Sequence, residues 1–308
     1  MANNAPTSTL SNNWSAVWHK ILGAVWSSSE AKNEPVWKQY LESISTEKKY
    51  FDDVERVGPG LWGETEEGAD LDLDDFGQGV ITRYEAKKFS KRLIIPEELE
   101  EDSQYEEIYD ATRMLQETCV LTQDYDAVGV LNDMFTTANG RIGGDGQSLC
   151  STTHPIRGGG TVSNQLATAL SPANTSMATM LVLIDKLPNP SGFITGGVKA
   201  MKVVGPSNYR FRMKEIWKSE QKDDTTNNAI NSLMGEISNS SYVAVPFMSS
   251  LTNWSMHTNV KRGAMMVWRR QPRFRKNSDD TNETKIATGS ARWTTGFSDF
   301  RTYIGSNI

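Results

Sequence analysis

The sequence predicts an α+β protein in which one long helix and one two-stranded excursion accompany a compact unit of mixed sheet and short helices. Three observations carry that expectation. From Gln104 to Phe135 there is no proline and a single glycine, Gly129. Within that run Ile108, Ala111, Leu115, Cys119, Thr122, Tyr125, Val128 and Phe135 recur at three- and four-residue steps, the spacing of one helical stripe. Tyr50–Val57 and Gly79–Tyr84 are strand-like and enclose Gly58-Pro59-Gly60, Gly63, Gly68 and Gly77, so they predict two strands around an irregular tip. Beyond Asn174, short apolar runs of helical and strand spacing alternate and stop at Pro188, Pro206 and Pro246, the pattern of a mixed α/β unit.

In chain order, Met1–Asn13 is small and polar and is expected to be extended. Trp14, Val17, Trp18, Ile21, Leu22 and Val25 take helical spacing, and Pro35 is placed to open a second short helix with Trp37, Tyr40, Leu41 and Ile44 on one side. Trp14, Trp18, Trp26, Trp37 and Trp62 crowd a first fifth with little room for an independent core. The first four read as anchors of an arm packing elsewhere, a neighbouring subunit included; a helical subdomain lying on its own core is the other reading. Pro96 ends the Leu93–Ile95 run, and Glu97, Glu98, Glu100, Glu101 and Asp102 suit the start of the long helix. At about 1.5 Å per residue that helix spans roughly 48 Å. Asn139–Gly146 reads as turns, Asn174–Leu187 as a helix and Val198–Val204 as a strand. Tyr209–Trp217 reads as a helix, and Tyr242–Val245 and Gly263–Trp268 as strands. Strand-like residues from Ile286 to Ile304 are expected to lie back along the long helix.

With 308 residues, 37% hydrophobic and 23% charged, the chain suits a soluble protein. A net charge of −6 argues against nucleic-acid binding in the ordinary electrostatic sense. No window has the roughly 18 apolar residues of a membrane span, and no basic start precedes Ile21–Trp26, so neither membrane nor export signal is expected. Cys119 and Cys150 are too few for a disulfide framework. Asp70, Asp72 and Asp74 alternate with Leu71 and Leu73, yet a calcium loop starting at Asp70 would need glycine at Asp75 and glutamate at Ile81. Three dispersed histidines form no zinc signature, and Gly158–Gly160 lacks the Lys-Ser/Thr of a phosphate loop, so no metal and no cofactor is expected. His154 with Asp145, Ser148 and Ser151 is the one constellation suggesting a hydrolase; turn-forming bonds to the local backbone are the plainer reading of those serines and that aspartate.

The run F-S-K-R-L-I-I-P (Phe89–Pro96), the acidic helix start, the long helix, D-G-Q-S-L-C-S-T-T-H-P (Asp145–Pro155) and Ser163-Asn164 together resemble the major capsid proteins of tailed bacteriophages, which have the Hong Kong 97-type fold. The likeness covers about a quarter of the chain, with Cys150 where an aromatic is expected. It implies an N-terminal arm over residues 1–48 and an extended β-hairpin loop over 49–94 that reaches across the adjacent subunit. It implies a peripheral domain with a spine helix over 95–175, a mixed α/β axial domain over 176–275 and strands returning to the peripheral domain over 276–308. The implied function is structural and not enzymatic: a major head protein that self-assembles as hexamers and pentamers into an icosahedral shell around double-stranded DNA. A portal, a separate scaffolding protein and in some systems a decoration protein would be further partners, with assembly in the host cytoplasm and residence in the virion. An encapsulin-like compartment is the alternative within the fold, and a soluble α/β hydrolase using His154 the alternative outside it.

Two oppositely charged stretches are the candidate interface. Glu64, Glu66, Glu67, Asp70, Asp72, Asp74 and Asp75 lie on the predicted tip. Lys261, Arg262, Arg269, Arg270, Arg273, Arg275 and Lys276 form a basic run with Trp268 and Phe274 between them, a weak nucleic-acid pattern in an acidic chain. Such patches can neutralise each other between subunits and set register. No lysine lies between Lys49 and Lys87, so the loop-lysine cross-link made by some members of this fold is not expected.

Overall fold

A computed structural model describes residues 21–71, 73–74, 77–96, 102, 105–156, 159–170, 175–194, 196–218, 233, 237, 241–279 and 284–308. Trp14 and Trp18, and the acidic residues Glu97–Glu101, Asp72 and Asp75, lie outside these. The chain forms two compact units. The first draws on the described residues of Met1–Pro35, Ala86–Asp124 and Trp268–Trp293, the second on those of Val36–Glu85, Tyr125–Val267 and Thr294–Ile308. Among the described residues no helix is long and apolar enough to cross a membrane.

In the first unit, helix α1 (residues 21–32) buries Leu22, Trp26 and Ser29, one face at i, i+4 and i+7. Strand β4 (Lys87–Pro96) pairs antiparallel with β12 (Thr284–Phe297) over ten residues, from Thr284 opposite Pro96 to Trp293 opposite Lys87. Strand β11 (Ala264–Asp279) is the other neighbour of β12. The long helix, α2, runs without interruption from Tyr105 to Asn132. Leu22, Ile95, Ile108 and Ala287 form a core with Leu93, Tyr109 and Phe274 against it. Burying each of its large aliphatic side chains contributes about 1.5–3 kcal/mol. Trp26 stacks on Phe274 at 5.3 Å, and its ring crosses Gly289, where a Cβ would stand 3.3 Å from it.

The second unit is built on a mixed five-stranded sheet, as expected for this part of the chain. Its order is β7 (Gln165–Leu166), β13 (Tyr303–Ser306), β10 (Trp254–Thr258), β8 (Ala200–Pro206), β9 (Tyr242–Val245). β10 is antiparallel to both β13 and β8, while β13–β7 and β8–β9 are parallel. Helices α3 (Thr175–Asp185) and α4 (Arg210–Lys218) cover it, placing Met177, Met180, Ile184, Met213, Ile216 and Trp217 in one core with Val203, Trp254, Met256 and Ile304. β2 (Tyr50–Val57) and β3 (Gly77–Glu85) form the expected hairpin. Its base, with Ile44 and Phe51, packs Tyr84 against Met265 and Val267. The short strands β5 (His154–Pro155) and β6 (Thr161–Val162) pair beside this region.

Several expectations change. Pro35 opens a single 3-10 turn, Val36–Gln39, and Ile44 lies instead in strand β1 (Glu42–Ser45). β11 does not stop at Trp268 but continues through the basic run to Asp279. Among the described residues, β11 is flanked on its other side only by the four-residue β1, and Pro272, which cannot donate a ladder bond, lies beyond it. Only part of the C-terminal segment lies against α2, where Ala287 meets Ile108; β13 enters the sheet of the second unit. The buried face of α2 also differs from the apolar stripe. Thr122 and Tyr125 are exposed, while Thr112, Gln116 and Gln123 are buried. Thr112 Oγ1 donates back to the Ile108 carbonyl, and Gln116 Oε1 accepts from Ser29 Oγ at 2.9 Å, so these polar groups are satisfied inside.

Candidate inter-subunit surfaces

The hairpin's base is fixed by polar contacts. A bulge sets two residues of β3, Gly79 and Val80, against the single residue Glu55 of β2. Its carboxylate lies over Gly79, where a Cβ would come within 2.6 Å, and reaches Arg301 at 3.6 Å. Burial raises the Glu55 pKa, opposed by the Arg301 charge. Arg301 is itself held by Asp299. Arg83 grips Asp52 through two hydrogen bonds, Tyr84 and Ser298 hydroxyls meet at 2.7 Å, and Gly144 N–H donates to Thr82 Oγ1. Arg262, a predicted docking cation, has a positive φ of 59° and bonds buried Asp53 at 3.1 Å. It is therefore already partnered within its own chain.

Past this base the tip projects without regular structure, closed by the Gly60 N–H bond to the Asp74 carboxylate. Glu64, Glu66, Glu67, Asp70 and Asp74 are exposed, as expected. Large apolar side chains sit among them: Leu61, Trp62, Leu71 and Leu73 are 76, 96, 84 and 101% exposed. These four large apolar side chains lie bare beside a run of acids. The tryptophan count pointed to Trp62 only as one of a crowd. Trp26 and Trp37, by contrast, are buried within their own chain.

The basic run is part of a larger feature. Across Lys87–Pro96, Trp268–Asn277 and Thr284–Trp293, the strands of the first unit, there are eleven Lys or Arg and no Asp or Glu. Arg292 lies directly opposite Lys88, a like-charge cross-strand pair that opposes the sheet's own stability. Arg270 donates to Ser290 Oγ at 2.9 Å. Desolvation, then Arg273, Arg292, Arg275 and Arg269, lower its pKa. Among the described residues Arg269, Arg270, Arg273, Arg275 and Arg292 form no ion pair. Lys276 lies over the Phe274 ring, and burial brings its pKa to about 8. The β4 and β12 cations were missed because each strand read alone shows only one face of ordinary surface charge.

The histidine constellation is a packed joint. His154 is fully buried, with Nδ1 2.7 Å from Asp145 Oδ2, Nε2 3.1 Å from Asn164 Oδ1 and its ring stacked on Phe300 at 3.9 Å. Burial works to raise the Asp145 carboxyl, but hydrogen bonds from His154 and the Gln147 N–H hold it below its ordinary value. Ser148 Oγ donates to the Cys150 carbonyl, and Ser151 Oγ meets Gln147 and Thr153. Neither serine is bonded to the imidazole, whose two nitrogens are occupied, so the geometry of a nucleophile and its base is not assembled.

Comparison with known structures places this fold among shells. The chain is similar to the virus-like particle from Pyrococcus furiosus, with TM-score 0.56 and 9% identity over 94% of this chain and 98% of that one. The procapsid of bacteriophage JBD30 gives TM-score 0.54 and 12% identity over 96% and 75%. The capsid of Myoviridae phage XM1 gives TM-score 0.53 and 10% identity over 89% and 91%. Among curated proteins none matches the sequence. At such identities the likeness establishes the fold, and the sequence itself supplies the kinship: residues 79–304 match the family described as "Phage capsid protein". A long helix, a projecting hairpin and a mixed sheet, carried on a sequence that meets that description over most of its length, make this chain a member of the phage capsid protein family, a structural subunit of a capsid shell.

Proposed function

We propose that the chain is the major head protein of a tailed phage, forming hexamers and pentamers of an icosahedral shell around double-stranded DNA, and that its acidic tip seats on the cationic strands of a neighbouring copy. One observation carries the docking step. Five arginines repel one another on a sheet without a carboxylate partner among the described residues, while the opposite charge stands exposed on the tip with bare apolar side chains beside it. Charge of this kind directs encounter and register, and the apolar groups supply the burial. Arg269, Arg270, Arg273 and Arg275 are the principal receiving residues; Lys261 and Arg262 belong to the second unit, and Arg262 is restrained by Asp53. Portal, scaffolding and decoration proteins would be the further partners of such a shell, assembled in the host cytoplasm.

The test is a charge exchange. Arg269→Glu with Arg270→Glu should abolish particles in electron micrographs while circular dichroism shows a folded subunit. Adding Glu64→Lys, Glu66→Lys and Glu67→Lys to the same chain should restore them. Normal particles from the first variant would refute the docking. An encapsulin-like compartment would instead show a co-purifying cargo peptide.

A further inference from the structure

One face of the sheet in the first unit collects cations and hydroxyls. The register of β4 on β12 sets Lys88, Ser90 and Arg92 opposite Arg292, Ser290 and Thr288. Cross-strand partners share a face. Alternation sends the intervening Leu93, Ala287 and Gly289 to the other side, into the core with Leu22, Trp26 and Ile108. On β4 the side chains of Lys88, Ser90 and Arg92 are exposed. Arg270 of β11 joins the group through its bond to Ser290 Oγ. Among the described residues none of Lys88, Arg92, Arg270 and Arg292 forms an ion pair. The Nε–H groups of Arg270 and Arg292 are moreover buried with no acceptor. Buried donors are rarely left so, and two of them among like charges call for oxygens that this sheet does not contain.

We propose that this face binds the phosphate backbone of double-stranded nucleic acid without reading its sequence. The inference goes beyond the shell role, and Lys88, Arg92 and Arg292 lie outside the residues assigned to receive the tip. Guanidinium and ammonium groups interleaved with the hydroxyls of Ser90, Thr288 and Ser290 are the donors that phosphate oxygens accept from. From Lys88 to Arg92 is about 13 Å of strand, over which one strand of a duplex presents about four phosphates. The aromatic rings Phe89 and Trp293 stack on each other on the opposite side, at 3.9 Å. An unpaired base thus finds no ring on the cationic face, which selects the closed duplex over a single strand. Among the described residues Ile94 is the large apolar side chain this face exposes, so recognition rests on charge and hydroxyls. The net charge of −6 does not oppose it: all 38 Asp and Glu lie outside these cationic stretches. At about 0.1 M salt, exposed charges more than about 10 Å away are largely screened.

The test uses the full-length subunit before assembly and a fluorescent duplex of about 20 base pairs and arbitrary sequence, titrated at about 50 to 200 mM salt. Four neutralised phosphates give a slope of log affinity on log salt near about −3.6, a loss of about 150-fold across that range. Lys88→Gln with Arg92→Gln, both exposed on an edge strand, should reduce the slope to about −1.8 and the loss to about 12-fold. Arg292→Gln alone should take about 0.9 from the slope. A single strand of the same length should bind more weakly. No binding by the wild type at the lowest salt, an unchanged slope in the double variant, or tighter binding of the single strand would each overturn the proposal. So would a double variant that keeps its duplex affinity yet forms no particles, the result expected if this face receives a neighbour's tip instead.

Discussion

Replacing Gly129 with alanine sets helix propensity against one guanidinium. Gly129 is the single glycine of α2, and an exposed glycine inside a helix costs about 1 kcal/mol relative to alanine. Its position is not open, however. A Cβ there would stand 2.4 Å from Arg141 Nη1 and 2.6 Å from Cζ, nearer than atoms can approach. Arg141 must then leave its place, where it bonds Asp133 at 2.7 Å and Asp126 at 3.0 Å near the end of the helix. With Asp133 buried, losing these charge-assisted bonds costs about 1.5–3 kcal/mol. Gly129→Ala alone should therefore destabilise the subunit by about 0.5–2 kcal/mol. In an Arg141→Ala background the clash is gone, and the same substitution should stabilise by up to about 1 kcal/mol. Urea unfolding of the four variants, followed by tryptophan fluorescence, gives a coupling of about 1.5–3 kcal/mol from the double-mutant cycle. A Gly129→Ala effect of the same sign and size in both backgrounds would refute the packing argument.

Two further outcomes follow from burial. Desolvation first, and then the Lys202 charge, depress the pKa of His257 from 6.5 to about 4. A depressed folded value means stability present in full above about pH 6.5 and lost as pH falls toward 4, by at most about 3 kcal/mol. His257→Gln should flatten acid-side urea midpoints over that window, and an unchanged slope would count against it. Cys150 is fully buried, and desolvation raises its thiol pKa far above the ordinary value, while the half-buried Cys119 is raised less by the same cause. A thiol-reactive dye should label Cys119 slowly and Cys150 only after denaturation; rapid labelling of two thiols in the folded protein would contradict the packing.

What could be read in advance depended on whether a residue's reason was local. The hairpin strand Tyr50–Val57 and the helices over Thr175–Asp185 and Arg210–Lys218 announce themselves by period and by the Gly and Pro that stop them. β10 does not, because Trp254, Ser255, Met256, His257 and Thr258 show no alternation: a strand in the middle of a covered sheet buries nearly every residue. The helix stripe was misread at Thr112 and Gln116 because a buried polar residue with a satisfied partner looks, in sequence, like surface. The acidic tip was legible as composition. The receiving surface was only half legible, since Lys88 and Arg292 become neighbours through pairing between residues some two hundred positions apart. Asn164 was noticed for its place in a motif, yet the five hydrogen-bonding partners of its side chain are drawn from segments no spacing rule connects.

β13 lies between β7 and β10, with all four of its residues buried. Without Tyr303–Ser306, β10 has an open edge and the Asn164 amide loses the Tyr303 carbonyl as an acceptor. A product terminated before Tyr303 thus leaves the sheet of its second unit unfinished.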